Sequence, residues 1–148
     1  MKINNVDLIA LGPGTHMNWL LGFNPYPDER PCMLLIGKEK EAFLMPSVNA
    51  EDAKKRTDIA INSWKDENGP DQALKEALLY IGESSAKHIA IDEAMRSHFA
   101  LIVIEALPNP TYEFTASTIG ALRMRKDQTE FINLKENALI DDRAMQAG

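Results

Sequence analysis

Cysteine is almost missing from this chain: Cys32 is the single one in 148 residues. One thiol cannot close an internal disulfide. Set inside an apolar run, Cys32 reads as a buried, reduced thiol, which agrees with a cytoplasmic protein. Histidine is scarce as well. His16, His88 and His98 offer no His-x-x-x-His pair, so the usual zinc-binding spacings are excluded. The eight glycines make no phosphate cradle. Gly12-Pro13-Gly14 lacks the third glycine of a dinucleotide fingerprint, and its proline removes a backbone donor. No Gly-x-Ser-x-Gly elbow exists, and Ser84-Ser85 simply follow a helix-ending glycine. No apolar run approaches the ~20 residues that span a bilayer, and Met1 to Asn5 contains no apolar signal core. Positive charge is in deficit. Sixteen Lys and Arg against 22 Asp and Glu leave a net charge of −6, which argues against nucleic acid and anionic membrane as partners. There is no internal repeat and no low-complexity segment.

What is present is organised around residues 6–46. Leu8 to Leu11 is a short continuous apolar run, the pattern of a strand buried on both faces, and Gly12-Pro13-Gly14 stops it. Residues 15–22 form a short helix or an irregular turn: Met17, Leu20 and Leu21 share a helical face, with Gly22 placed as a C-terminal stop. Two further apolar runs, Cys32–Ile36 and Ala42–Met45, are joined by the charged Gly37 to Glu41 and read as a hairpin.

Beyond the hairpin, strands and helices alternate. Asn49 is a candidate N-cap for a short polar helix over 50–56, and 59–64 alternates enough to be a strand. Pro70 sits where a helix begins. The helix over 71–81 aligns Leu74, Leu78 and Ile81, and Gly82 ends it. His88 to Ile91 is another buried strand. A helix over 93–107 turns Phe99, Ile102, Val103 and Ala106 inward and stops at Pro108. Residues 111–115 make a last strand and 116–123 a short helix. This pattern predicts one α/β domain: a mixed sheet with helices on both faces, the hairpin supplying an antiparallel pair.

Asp127 and Glu130 have the spacing of a capping box, and a long helix runs from about Gln128 to the end. It carries Phe131, Leu134, Ala138, Leu139 and Met145, an apolar stripe that needs a partner surface. That helix either folds back on its own domain or meets a surface that these residues do not supply. The loop Asn24-Pro-Tyr-Pro-Asp-Glu-Arg-Pro31 is stiffened by three prolines and displays an aromatic, two acids and a guanidinium. It is either a plain strand connection or an interface, since stiff loops lose little entropy on binding. The acidic pairs Asp66-Glu67, Asp92-Glu93 and Asp141-Asp142 read as solvated or capping groups. Asp92 alone follows a strand end, where α/β proteins place ligands. His16 is the one histidine in a loop. No nucleophile–base pair or metal set emerges, so no catalytic residue is assigned.

The order Val6-Asp-Leu-Ile-Ala-Leu11, Pro13-Gly-Thr15, Asn18-Trp-Leu-Leu-Gly-Phe23, Met33-Leu-Leu-Ile36 and Phe43-Leu-Met-Pro46 resembles the N-terminal domain of the creatinase, prolidase and aminopeptidase P group. Trp19 stands where that group usually has tyrosine, and Leu21 where it has threonine. Leu122-Arg-Met-Arg-Lys126, then Thr129-Glu130 and an amphipathic helix, resembles the link to that group's catalytic "pita-bread" domain, with Arg125 in place of a commoner aliphatic. The group's usual opening helix before the first strand is missing. The resemblance implies a ribonuclease-H-like α/β fold over residues 1–123, with 124–148 as linker and the start of a helix toward a catalytic domain outside this chain. It implies an Xaa-Pro dipeptidase or aminopeptidase whose divalent manganese, cobalt or zinc ions are held in that second domain, so that no cofactor belongs to these residues. Short proline-containing peptides would be the substrate of the whole enzyme, and its own C-terminal domain and a second copy its partners. The role implied here is dimerisation and control of access to the partner's active site, through Phe23, Asn24, Tyr26, Asp28 and Arg30. The other expectation is a self-contained α/β interaction module without enzyme activity.

Overall fold

The structure is a computed structural model, and residues 1–147 are described. After a 3-10 turn at Lys2–Asn4, these residues form six strands and six α-helices. The strands are β1 (Leu8–Leu11), β2 (Met33–Ile36), β3 (Glu41–Pro46), β4 (Ala60–Trp64), β5 (His88–Ile91) and β6 (Thr111–Phe114). The helices are α1 (Thr15–Leu21), α2 (Ser47–Ala53), α3 (Asp71–Ile81), α4 (Ser97–Glu105), α5 (Ile119–Met124) and α6 (Gln128–Ala147). The strands lie in the order β4-β3-β2-β1-β5-β6. β2 pairs antiparallel with both its neighbours, through Ile9 opposite Ile36 and Leu34 opposite Phe43, and the remaining pairs are parallel. This is the mixed sheet that the sequence predicts.

Alternation along the central strands builds two cores. Leu8, Ala10, Met33, Leu35, Leu44 and Ile89 face α3 and α4, meeting Leu74, Leu78, Phe99 and Val103. Ile9, Leu11, Leu34, Phe43 and Met45 face the other way, toward Met17 of α1, Ala50 of α2 and Ile119 of α5. Both faces are therefore covered, and the central strands read as continuous apolar runs because each side of the sheet is dry. Burying each Leu or Phe contributes on the order of 2 kcal/mol.

Several boundaries match the sequence reading: β1, α3, β5 and the start of α6. Gly22 and Gly82 end α1 and α3 with φ of 71° and 81°, the left-handed conformation that only glycine adopts without strain. Three helices differ. α2 starts at Ser47, not 50, because Pro46 closes β3 with φ −59° and leads directly into the helix, leaving Asn49 inside it. α4 begins at Ser97, four residues later than expected. Asp92 takes the amide of Ala94 on Oδ1 and that of Met95 on its carbonyl, so the chain spends those groups on a turn. The helix expected over 116–123 is split at Thr118 into a 3-10 turn, Thr115–Ser117, and α5.

The long helix α6 has no buried residue along its length. Its first turn is closed by the expected capping box: the amide of Glu130 donates to Asp127 Oδ1 at 2.8 Å, and the amide of Asp127 donates to Glu130 Oε2 at 3.1 Å.

Candidate functional site

Five parallel strands deliver their C-termini to one edge of the sheet, and the loop entering β2 lies at that edge too. In open α/β sheets this is where ligands and partners meet the fold. Two features occupy it.

The first is the loop over 23–31. Phe23 is buried, its ring 6.2 Å from that of Phe43, so it anchors the loop from within and offers nothing to a partner. Asn24 accepts the amide of Gly14 on Oδ1 at 2.7 Å. Asp28 accepts the amide of Arg30 at 2.8 Å. The Arg30 guanidinium holds Asp66, after β4, through Nε at 3.0 Å and Nη2 at 3.1 Å. This fork geometry depresses the Asp66 carboxyl below its ordinary range. His98 Nε2 donates to the Glu29 carbonyl at 3.1 Å, and Trp64 donates to that of Pro31 at 2.9 Å. The loop is thus tied down by its own domain. Of the five residues singled out, Tyr26 is the one whose ring stands free, 79% exposed. Beside it lies a cleft of about 370 Å³, lined by Pro25, Tyr26, Val48, Asn49 and Arg56 among others, with Val48 also exposed.

The second feature is a polar cluster that the sequence reading did not assemble. His16, from the first turn of α1, is buried. Its Nε2 lies 3.3 Å from Glu93 Oε1, and its Nδ1 lies 3.1 Å from Nη1 of Arg123 in α5. Thr115, at the end of β6, donates to Glu93 Oε2 at 2.6 Å. That bond, helped by His16, holds the Glu93 carboxyl below its usual range. Neighbouring Asp92 is 2% exposed, and burial pushes its carboxyl up. His16, Asp92 and Glu93 bring ligand atoms within 4.8 Å of one another, so a cation must be considered. The donor set does not fit one. A guanidinium only donates, so Nδ1 must be the accepting nitrogen and Nε2 carries the proton of the neutral ring, aimed at Glu93. The ring has no lone pair left for a metal, and a permanent positive charge stands 3.1 Å away. The cluster is a closed hydrogen-bonded bridge from strand ends to α1 and α5. Polar residues just past three strand ends (His16, Asp92-Glu93, Thr115) were the signal that could have found it.

An apolar hollow of about 500 Å³ is lined by Ile3, Ile9, Leu20, Ile36, Ile119 and Leu122 among others, with Ile3 98% exposed.

The sequence profile of the Creatinase/Prolidase N-terminal domain matches residues 1–125. The chain belongs to that family. No curated protein sequence matches it. Among solved structures, a dipeptidase from Pyrococcus horikoshii is similar at 27% identity and a TM-score of 0.72, over 83% of this chain and 34% of its own. A prolidase from Thermococcus sibiricus shares the fold with a TM-score of 0.78 at 19% identity, over 99% of this chain and 40% of its own. The creatinase/prolidase N-terminal domain of an X-Pro dipeptidase from Streptococcus pyogenes has a TM-score of 0.71 at 15% identity, over 81% and 90% respectively. This creatinase/prolidase-type domain therefore spans about a third of the length of the Pyrococcus dipeptidase. Among its described residues no helix is long and apolar enough to cross a membrane.

Proposed function

We propose that this chain is the non-catalytic N-terminal domain of a cytoplasmic Xaa-Pro dipeptidase or aminopeptidase-like metallohydrolase. Residues 1–123 would be the folded body, and 124–148 the linker and helix leading to a catalytic domain that holds the divalent metal, manganese, cobalt or zinc. The body serves a homodimer, narrowing access to the partner subunit's active site and so favouring short proline-containing peptides. The carrying observation is α6. It exposes Phe131, Ile132, Leu134, Leu139, Ile140 and Met145, each at least 45% accessible, and it follows directly on the matched residues. Six large apolar side chains left this exposed call for a partner surface. On the loop, Tyr26 supports the access role best, because its neighbours Phe23, Asn24, Asp28 and Arg30 are held by their own domain and present it rigidly.

The test is direct. The 148-residue chain, incubated with manganese and Ala-Pro, is expected to give no proline release, and clear turnover overturns the non-catalytic role. Reading the gene past residue 148 should disclose two Asp, one His and two Glu in a second domain. A stop codon there would instead favour a self-contained interaction module.

A further inference from the structure

The helix α6 leaves the body without burying a single residue. Its direction must therefore be set by a few contacts at its root, and α1 supplies them. Trp19 of α1 donates from Nε1 to Glu130 Oε1 in the first turn of α6 at 3.0 Å. The other oxygen of Glu130 caps the helix through the Asp127 amide, so one carboxylate both closes α6 and pins it. On the same short helix, His16 and Thr15 receive Nη1 of Arg123, at 3.1 Å and 3.4 Å. Lys126 donates to the Arg123 carbonyl, which ties the linker to α5.

We propose that α1 is the seat of a two-point latch that fixes α6 relative to the sheet, and that protonation of His16 opens one of the two points. The charged and polar groups facing His16 are Glu93 and Asp92 from the turn after β5, Thr115 from the end of β6, Arg123 from α5, and Thr15 beside it. Glu93 accepts the Nε2 proton in either ionisation state, so the ring keeps its place when it charges. Nδ1 does not. Once protonated it is a donor facing a donor, and an imidazolium facing a guanidinium. Arg123 then keeps only its longer contact, to Thr15 Oγ1 at 3.4 Å, while the Trp19–Glu130 point remains. The root of α6 changes from one held firmly on both sides, through Arg123 of α5 and through Glu130, to one held firmly only through Glu130. This inference stands whether or not the chain serves a peptidase.

The experiment measures the angle of α6 in the 148-residue chain. Cys32 is buried, so nitroxides can be placed on cysteines introduced at exposed sites by K75C in α3 and K135C in α6. Pulsed electron resonance should give one narrow distance at neutral pH. R123Q, and separately the pair W19F/E130A, should each roughly double its width, while E130Q, which keeps the acceptor for Trp19, should leave it narrow. Circular dichroism and a melt check that each variant is folded. If R123Q fails to fold, the W19F/E130A pair decides, since both side chains sit at the surface. Acidification, with the His16 ring followed by nuclear magnetic resonance, should broaden the parent distribution once the ring is protonated but not that of H16Q, whose amide oxygen accepts from Arg123 and does not titrate. A distribution already broad at neutral pH, or widths unchanged in R123Q and in W19F/E130A, overturns the latch. A His16 ring that nuclear magnetic resonance shows protonated without broadening, or that stays neutral until the domain unfolds, overturns the release.

Discussion

Asp7 should carry the steepest single pH dependence of this domain's stability. It stands just before β1, and its carboxylate gathers three elements. Lys38 of the hairpin loop donates its ammonium to Oδ1, and the amides of Lys87 and His88, entering β5, donate to Oδ2 at 2.9 Å and 3.1 Å. The Lys38 bond foremost, with the two amides, brings the carboxyl from 3.8 down to about 2. At face value that fall is worth roughly 2 kcal/mol. Lys38 is 46% exposed and Asp7 21%, however, and water screens a pair at such a surface. About 1 kcal/mol is the figure to expect. The sign follows from the direction. The folded state prefers the ionised carboxyl, so the stabilisation is complete above the unfolded value near 4 and disappears as pH falls toward about 2. In Asp7→Asn the oxygen still receives the two amides, but an NH2 group faces the Lys38 ammonium. Urea denaturation should find the variant about 1 to 2 kcal/mol less stable at pH 7. The difference should shrink by about half between about pH 5 and pH 3. A difference that is absent at neutral pH, or that stays constant as pH falls, refutes this account of Asp7.

Burial raises the Cys32 thiol to about 12, so a disulfide reagent at about pH 8 should leave the native chain unlabelled and react at once in denaturant. Rapid labelling of the folded protein would contradict the buried strand. A Cβ added at Gly37 would stand 3.0 Å from Glu83 Cγ and 3.1 Å from the Ile81 carbonyl, so Gly37→Ala should cost about 1 to 3 kcal/mol by chemical denaturation. An unshifted midpoint would mean that the hairpin loop gives way freely. The triple change Phe131→Ser, Leu134→Ser, Leu139→Ser removes side chains that are each at least half exposed, and should lower body stability by less than about 1 kcal/mol. A loss of several kcal/mol would show that α6 packs on its own domain after all.

Local signals on consecutive residues determined much of this protein. The apolar runs of β1 and β5, the Pro70 and Gly82 that bracket α3, and the Asp127–Glu130 capping box all act within a turn or two, where neighbours along the chain decide the conformation. Their order carried the resemblance to creatinase/prolidase N-terminal domains, which the profile match over residues 1–125 bears out. Where the loop over 23–31 spends its side chains was not legible, because Asp66, the partner of Arg30, lies 36 residues away. Nor was the burial of His16, read from the sequence only as the one histidine in a loop, since its partners Glu93 and Arg123 are 77 and 107 residues distant. The late start of α4 has the same origin: helical periodicity allowed it from 93, but Asp92, buried at a strand end, took the amides of that turn. Hydrophobic pattern and caps are properties of a segment. Which polar groups satisfy one another inside is a property of the closed sheet, and only its tertiary pairing settled that.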